Sequence, residues 1–220
     1  MNDQQGAEQS GLSTGERLLV GAAELFREKG YAGTTTRELS ALVGIQNASL
    51  YHHVGGKEDL LYSLCVAALD DVARVFDIPD RGEEPAKVLE QMARGYLEQA
   101  LKDRDRHATM LTEIRSLSPD RRAAVVARRD ENVAMLRSVI VSAQEAGQVR
   151  ADIDPKYLTL ALFNLLNWSI FWFNPDGELT KEEIGKILWS VYFDGVAAPA
   201  PARTRKPRGT KGSGARKATG

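Results

Sequence analysis

The chain has 220 residues, 43% of them hydrophobic, with a formal net charge of −1 and a single cysteine. That length and apolar content support one ordinary domain plus a small one, each with a core, and exclude a disordered chain. Cys65 alone cannot make an intrachain disulfide, and the polar residues before Leu12 lack the apolar core of a signal peptide, so a reducing, cytoplasmic setting is expected.

Residues 1–12 are expected to be disordered. Ser13 and Glu16 then carry the reciprocal capping pattern of Ser/Thr with Glu three residues on, and predict a helix to about Lys29. Leu19, Ala22, Ala23 and Phe26 form its inward stripe and Gly30 its stop. Thr35 and Glu38 repeat the pattern. The helix they open, from Thr36, has Leu39, Leu42 and Val43 at helical spacing and ends at Gly44, barely two turns on. Ile45 begins a tight turn, and Gln46 or Asn47 can cap a second short helix that Gly55 and Gly56 break after Val54.

At about 100° per residue, Leu50 and Val54 share one face of this second helix with Ile45 close by. Ala48 and His52 point the opposite way, flanked by Ser49 and Tyr51. A helix meant only for packing gains from a charged outer face. This one carries groups that bond base edges, touch a thymine methyl or reach phosphates. Lys57 opens the next helix, where its ammonium and the first-turn N–H groups are both expected to meet a phosphate. Bulk charge gives no such signal, because Thr14 to Leu60 holds five basic residues against six acidic ones.

The fourth helix, from Lys57 to about Phe76, has Leu61, Leu64, Cys65, Ala68, Val72 and Phe76 at helical spacing, and Cys65 reads as a small buried hydrophobe. Ile78 to Glu84, with Pro79, Asp80 and Gly82, reads as a loop. Three amphipathic segments follow: Pro85 to Lys102, Arg106 to Leu117, and Pro119 to about Gly147. Pro155 starts a helix that is apolar nearly all round from Leu158 to Phe173. It is too short and too interrupted by Asn164 and Asn167 for a membrane span, so burial on both sides fits better. Thr180 and Glu183 make a third capping box, with Ile184, Ile187, Leu188, Val191 and Tyr192 as a stripe to Val196. The tail from 199 to 220 has seven basic residues and no acid, and its composition predicts solvated disorder, with nonspecific phosphate attraction as the rival, functional reading.

Catalysis has nothing to rest on. His52 and His53 are adjacent and point about 100° apart, so they cannot chelate one metal. His107, between Arg106 and Ala108, reads as a surface residue, and no Gly-rich phosphate loop or nucleophile elbow occurs. No cofactor and no metal is expected. Trp168, Phe171, Trp172 and Phe173 have two readings, bundle core or the wall of a ligand pocket.

The run TTTRELSALVGIQNASLYHHVGGKEDL resembles the tetracycline-repressor (TetR/AcrR-type) family of bacterial transcription regulators, whose pattern runs T-T-x-R-E-L-x, V-G-I, S-L-Y-H-H and K-E-D-L. The match spans roughly residues 14 to 62; Val54 stands where that family generally has an aromatic, and Gly56 where it has Ser or Asn. The resemblance implies an all-α fold: a three-helix helix-turn-helix domain at 13–60 and a helical effector-binding and dimerisation domain at 61–198. It implies operator contacts by Thr35, Thr36, Arg37, Gln46, Asn47, Ala48, Ser49, Tyr51, His52 and Lys57, and a homodimer joined through Leu158, Leu162, Leu165, Ile184, Leu188 and Val191. Asn167 to Ile184 is similar to members that answer acyl-coenzyme A thioesters, which assigns Tyr96, Trp168, Phe171 and Trp172 to the acyl part and Arg115 to the phosphates. The expected function is a repressor that binds a near-palindromic operator as a dimer and is released by a small hydrophobic effector, either an acyl-coenzyme A thioester or a purely apolar molecule that needs no basic partner. Its rival is a helical interaction adaptor without DNA binding, for which the acidic balance of the first domain speaks.

Overall fold

In the computed structural model, which describes residues 12–78 and 82–197, nine α-helices succeed one another among the described residues. They are α1 (Thr14–Gly33), α2 (Thr36–Leu42), α3 (Asn47–His53), α4 (Lys57–Phe76) and α5 (Pro85–Lys102), then α6 (Arg104–Glu113), α7 (Pro119–Glu145), α8 (Pro155–Trp172) and α9 (Lys181–Val196). A 3-10 turn, Ile114–Ser116, joins α6 to α7. The all-α expectation holds: the β pairing among the described residues is one isolated bridge between Val149 and Ala197. The expectations for the first eleven residues, for Pro79 and Asp80 and for the basic tail lie outside the described residues.

The three capping boxes form as the sequence implies. Ser13, Thr35 and Thr180 each accept a hydrogen bond from the backbone N–H of the Glu three residues on, and each Glu side chain accepts from the cap's own N–H. Glu38 is also gripped by Lys29 at 2.7 Å, which holds its carboxyl down at about 2. Helix α1 breaks at Gly30, where φ is +74°, but one further turn to Gly33 follows the kink. Helix α2 ends at Gly44 with φ +72°: its N–H bonds the Ala41 carbonyl and the Ile45 N–H that of Ser40, the paired closure that needs a left-handed residue between two helices. Helix α6 starts two residues before the expected Arg106 because the Asp103 carboxylate caps it, accepting from the Arg106 N–H at 3.3 Å.

Two hydrophobic clusters organise these helices. The first gathers Leu18, Ala22 and Phe26 of α1, Leu39 of α2, Leu50 of α3, and Leu60, Leu61, Leu64, Cys65 and Leu69 of α4, and takes in Met110, Leu117 and Val125 from the other half. The second gathers Val72 and Phe76 of α4 with Leu89, Met92, Tyr96, Leu136, Ile140, Leu158, Leu162, Leu188 and Tyr192. Helix α4 therefore serves both. Burial raises the Cys65 thiol to about 12, which suits a packing role.

Polar clasps hold the halves together along α4 and α6. The Thr109 hydroxyl donates to the Ala23 carbonyl at 3.2 Å, Arg27 pairs with Asp105 at 2.5 Å, and the Ser118 N–H donates to Glu58 at 2.8 Å. The Asn132 amide donates to the Leu69 carbonyl at 2.9 Å, and Arg121 pairs with Asp59. The seven residues of α2 are too few to hold a helix without tertiary support, so its cap carries weight. Thr35→Ala is expected to lower stability by about 1 kcal/mol. In urea unfolding this reads as a lower midpoint at unchanged slope.

Candidate nucleic-acid interface and the cavity behind it

Helix α3 stands on Leu50, which is fully buried under it, and turns the other side outward. Gln46, Asn47, Ala48, Tyr51, His52 and His53 are exposed and Ser49 is half-buried. Tyr51 is 55% exposed, a high value for a tyrosine in a folded core region. His53 joins this face although it was not among the expected contacts; an outer face broader than the three central positions was the available signal. Gln46 is the cap residue but its side chain makes no capping bond, so its amide is not tied to the helix end. Asn47 accepts from the Ser40 hydroxyl at 3.3 Å, which fixes its side chain while leaving the amide N–H groups outward. Thr35 and Arg37 are exposed and Thr36 half-buried at the start of α2. Arg37 makes no ion pair among the described residues.

Lys57 departs from its expected role. Its ammonium donates to the Tyr31 and Thr34 carbonyls, each at 2.8 Å, and lies 4.1 Å from the centre of the Tyr31 ring. Those bonds turn it inward, where it ties the start of α4 to the end of α1 and the start of α2 instead of meeting a phosphate. A charged donor with two carbonyl acceptors contributes about 1–3 kcal/mol. Lys57→Met is expected to lower stability by that amount, read as a drop in the urea midpoint, and to leave the salt dependence of DNA binding unchanged.

Behind this face lies a cavity of about 330 Å³. Leu69 and Val72 of α4, Tyr96 of α5, Met110 and Leu111 of α6, Arg129, Asp130, Asn132 and Val133 of α7, and Leu160, Phe163, Asn164 and Asn167 of α8 line it, and Arg129, Asp130, Leu160 and Asn164 are exposed at its open side. Helix α8 has three faces, and the expected site residues divide among them. Leu158, Thr159, Leu162, Leu166, Ser169 and Ile170 are buried in the protomer's own core. Leu160, Phe163, Asn164 and Asn167 face the cavity. Tyr157, Trp168, Phe171 and Trp172 are exposed, with Trp168 at 69%.

Corrections follow from this division. Trp168, Phe171 and Trp172 do not line the cavity: Trp168 and Trp172 lie about a quarter turn or more round the helix from its stripe, and Phe171, in line with that stripe, lies one turn beyond Asn167 and outside the wall. Arg115 sits exposed in the 3-10 turn, outside the cavity wall. Of the expected interface residues, Leu158, Leu162, Ile184 and Leu188 are under 10% exposed and packed in the second cluster, so a partner cannot reach them. Leu165 is half-buried and Val191 is 63% exposed.

His107 is also not on the surface: it is 3% exposed, with Nε2 at 2.8 Å from the Tyr96 hydroxyl and its ring edge-on to that of Tyr96 at 5.3 Å. The Tyr96 hydroxyl donates onward to Asn167 Oδ1. Burial, and then the charge of Arg106, hold His107 down at about 4 from an ordinary 6.5, against the opposing pull of Asp71. An unfolded chain therefore takes up this proton first. Stability is expected to fall as pH drops from about 6.5 to about 4 and to lose nothing more through this group below that. Urea unfolding across that range checks it, with His107→Gln losing that part of the slope.

No group of three or more His, Cys, Asp or Glu among the described residues is arranged to hold a metal, and no described helix is long and apolar enough to cross a membrane. The model of bacterial regulatory proteins of the tetR family matches residues 18–64, and that of the tetracyclin repressor-like C-terminal domain matches residues 82–196. The HTH-type transcriptional repressor KstR2 of Rhodococcus jostii is 27% identical over 184 residues, covering 83% of this chain and 90% of that protein. The structure of the ketosteroid transcriptional regulator KstR2 of Mycobacterium tuberculosis superposes with a TM-score of 0.79 at 26% identity, over 85% of this chain and 96% of that one. AibR, solved with isovaleryl coenzyme A and operator DNA, superposes at 0.73 with 28% identity, over 82% of this chain and 98% of that one. With a helix-turn-helix half and a helical C-terminal half both matched, the chain belongs to the tetR family of bacterial regulatory proteins and is a DNA-binding transcriptional regulator.

Proposed function

We propose that the protein is a repressor that binds a near-palindromic operator as a dimer and is released when a small hydrophobic effector fills the cavity. The observation that carries this reading is one helix, α4, packed under the reading helix at its start and against the cavity at its end. Two copies of α3 enter successive major grooves about 34 Å apart, the spacing of helix-turn-helix dimers. Gln46, Asn47, Ser49, Tyr51 and His52 meet bases and phosphates there, with Arg37, Thr35 and Thr36 on the backbone. Occupancy of the cavity shifts α4 and with it that spacing. An effector that prefers the released state by about 1.4 kcal/mol already gives a tenfold loss of affinity.

The partner copy docks on the outward face of α8 and α9. Trp168, Phe171 and Trp172 with Ile187 and Val191 are all more than 40% exposed, which is more large apolar surface than a monomer leaves in water. AibR, solved with isovaleryl coenzyme A and operator DNA, supports the acyl part of a thioester as the effector. Charge supports the adaptor reading instead of DNA binding only through the acidic balance of α1 to α3. The exposed polar face of α3 and the unpaired Arg37 argue the other way.

Fluorescence anisotropy with the DNA upstream of the protein's own gene tests the reading. Tyr51→Ala and Arg37→Ala are expected to weaken binding by about 1–3 kcal/mol, with Arg37→Ala also lowering the salt dependence. Binding unchanged in both would overturn the interface. The paired substitution Trp168→Glu and Val191→Glu is expected to give a folded monomer in light scattering that no longer binds the operator. A fully dimeric variant would place the interface elsewhere.

A further inference from the structure

This inference rests on the proposal that the cavity is the effector site, and concerns the chemistry of what it accepts. The wall is mostly apolar: Arg129, Asp130 and Asn164 are exposed along it, Asn132 is bonded to the Leu69 carbonyl, and a hydrogen-bonded chain reaches it at the half-buried Asn167. His107 and Tyr96 are both almost fully buried, and burial keeps each neutral. Because the Tyr96 hydroxyl gives its single proton to Asn167 Oδ1, its oxygen accepts from the Nε2–H of neutral His107. The chain therefore runs from His107 through Tyr96 to Asn167, and it fixes the orientation of the Asn167 carboxamide. With Oδ1 occupied, the two N–H donors of Nδ2 remain, and they have no partner among the described residues.

Asn164 lies one turn earlier on the same stripe of α8, exposed at the open side of the cavity, and its amide makes no hydrogen bond among the described residues. Two carboxamides thus present N–H groups to a chamber otherwise walled by Leu69, Val72, Met110 and Phe163. The charged groups of the wall, Arg129 and Asp130, lie in solvent at its rim and pair with each other at 3.1 Å. A carboxylate entering past that exposed pair meets apolar side chains and loses its water. A pure hydrocarbon leaves the amide N–H groups desolvated and unpartnered. We infer that the cavity selects an apolar molecule carrying one neutral oxygen acceptor, a carbonyl or hydroxyl, which Asn164 and Asn167 hold directly while Tyr96 and His107 position Asn167. A thioester carbonyl and a ketone share this chemistry.

The test uses a matched eight-carbon set: 2-octanone, S-octanoyl-N-acetylcysteamine, octanoyl-coenzyme A, octanoate and octane. Binding is followed by calorimetry on the full dimer, and operator release by anisotropy on the same samples. The ketone and both thioesters are expected to bind at least tenfold more tightly than octanoate or octane. In the Asn164→Leu, Asn167→Leu double variant that preference is expected to shrink below threefold, with octane binding kept and the melting temperature within a few degrees. Should the double variant not fold, Asn164→Leu alone is expected to lower the preference at least threefold. Octanoate binding as tightly as the ketone, the preference surviving in the variants, or no binding of any probe would overturn the inference. Tighter binding of octanoyl-coenzyme A than of the truncated thioester assigns a coenzyme-borne source, equal binding a free one, and both support the shared chemistry. Failure of the functional reading is a separate result: selective binding without operator release, or binding that survives Val133→Trp, which fills the cavity.

Discussion

Leu60, Leu61, Leu64, Cys65 and Leu69 of α4 sit in the cluster that supports the reading helix, and Val72, less than a turn beyond Leu69, and Phe76, about two turns beyond it, sit in the cluster that walls the cavity. Each of these side chains is at most 5% exposed, so α4 cannot shift at one end without repacking at the other. The polar contacts follow the same line. Lys57 fastens its first turn to α1 and α2, and Asp59, Leu69 and Asp71 meet Arg121, Asn132 and Arg106 from α6 and α7. Tight cores respond to a sub-ångström change at one site by switching arrangement, which gives such an element two positions instead of a gradual slide.

Helix α6 adds a second rigid contact. Its Met110 and Leu111 face the cavity, and its Thr109 bonds the Ala23 carbonyl of α1. The helix-turn-helix thus rests on two supports that both touch the effector space, and the proposed coupling requires no contact between ligand and DNA. Electrostatics play the smaller part. The reading half is slightly acidic, so in the proposed interface affinity rests on where Arg37 and the polar α3 face stand, and steering by net charge contributes little.

Local chemistry was legible in the sequence and tertiary placement was not. Ser13, Thr35 and Thr180 with their glutamates formed the expected caps because both partners lie within three residues. Leu50 inward and Tyr51 outward followed from helical geometry alone. Lys57 was misread because its acceptors, the Tyr31 and Thr34 carbonyls, are more than twenty residues away in the chain. His107, between a charged and a small residue, gave no burial signal; its enclosure comes from Tyr96 on α5 and Asn167 on α8. Helix α8 is apolar on every side, so periodicity has no contrast from which to tell core from cavity from exposed face. That single ambiguity displaced the expected wall residues Trp168, Phe171 and Trp172 and buried the expected interface residues Leu158 and Leu162.

The central claim is that filling the cavity changes the distance between the two reading helices. Cys65 is buried and its thiol is held protonated, so a nitroxide can be attached selectively to an introduced cysteine at the exposed His53 position. Pulsed electron spin resonance on the His53→Cys dimer then reads the separation of the two α3 helices. The account predicts a narrow distribution near the operator spacing of about 34 Å with DNA bound, and a shift of several ångströms when a cavity ligand releases the DNA. The same distribution with and without a ligand that releases the operator would contradict it.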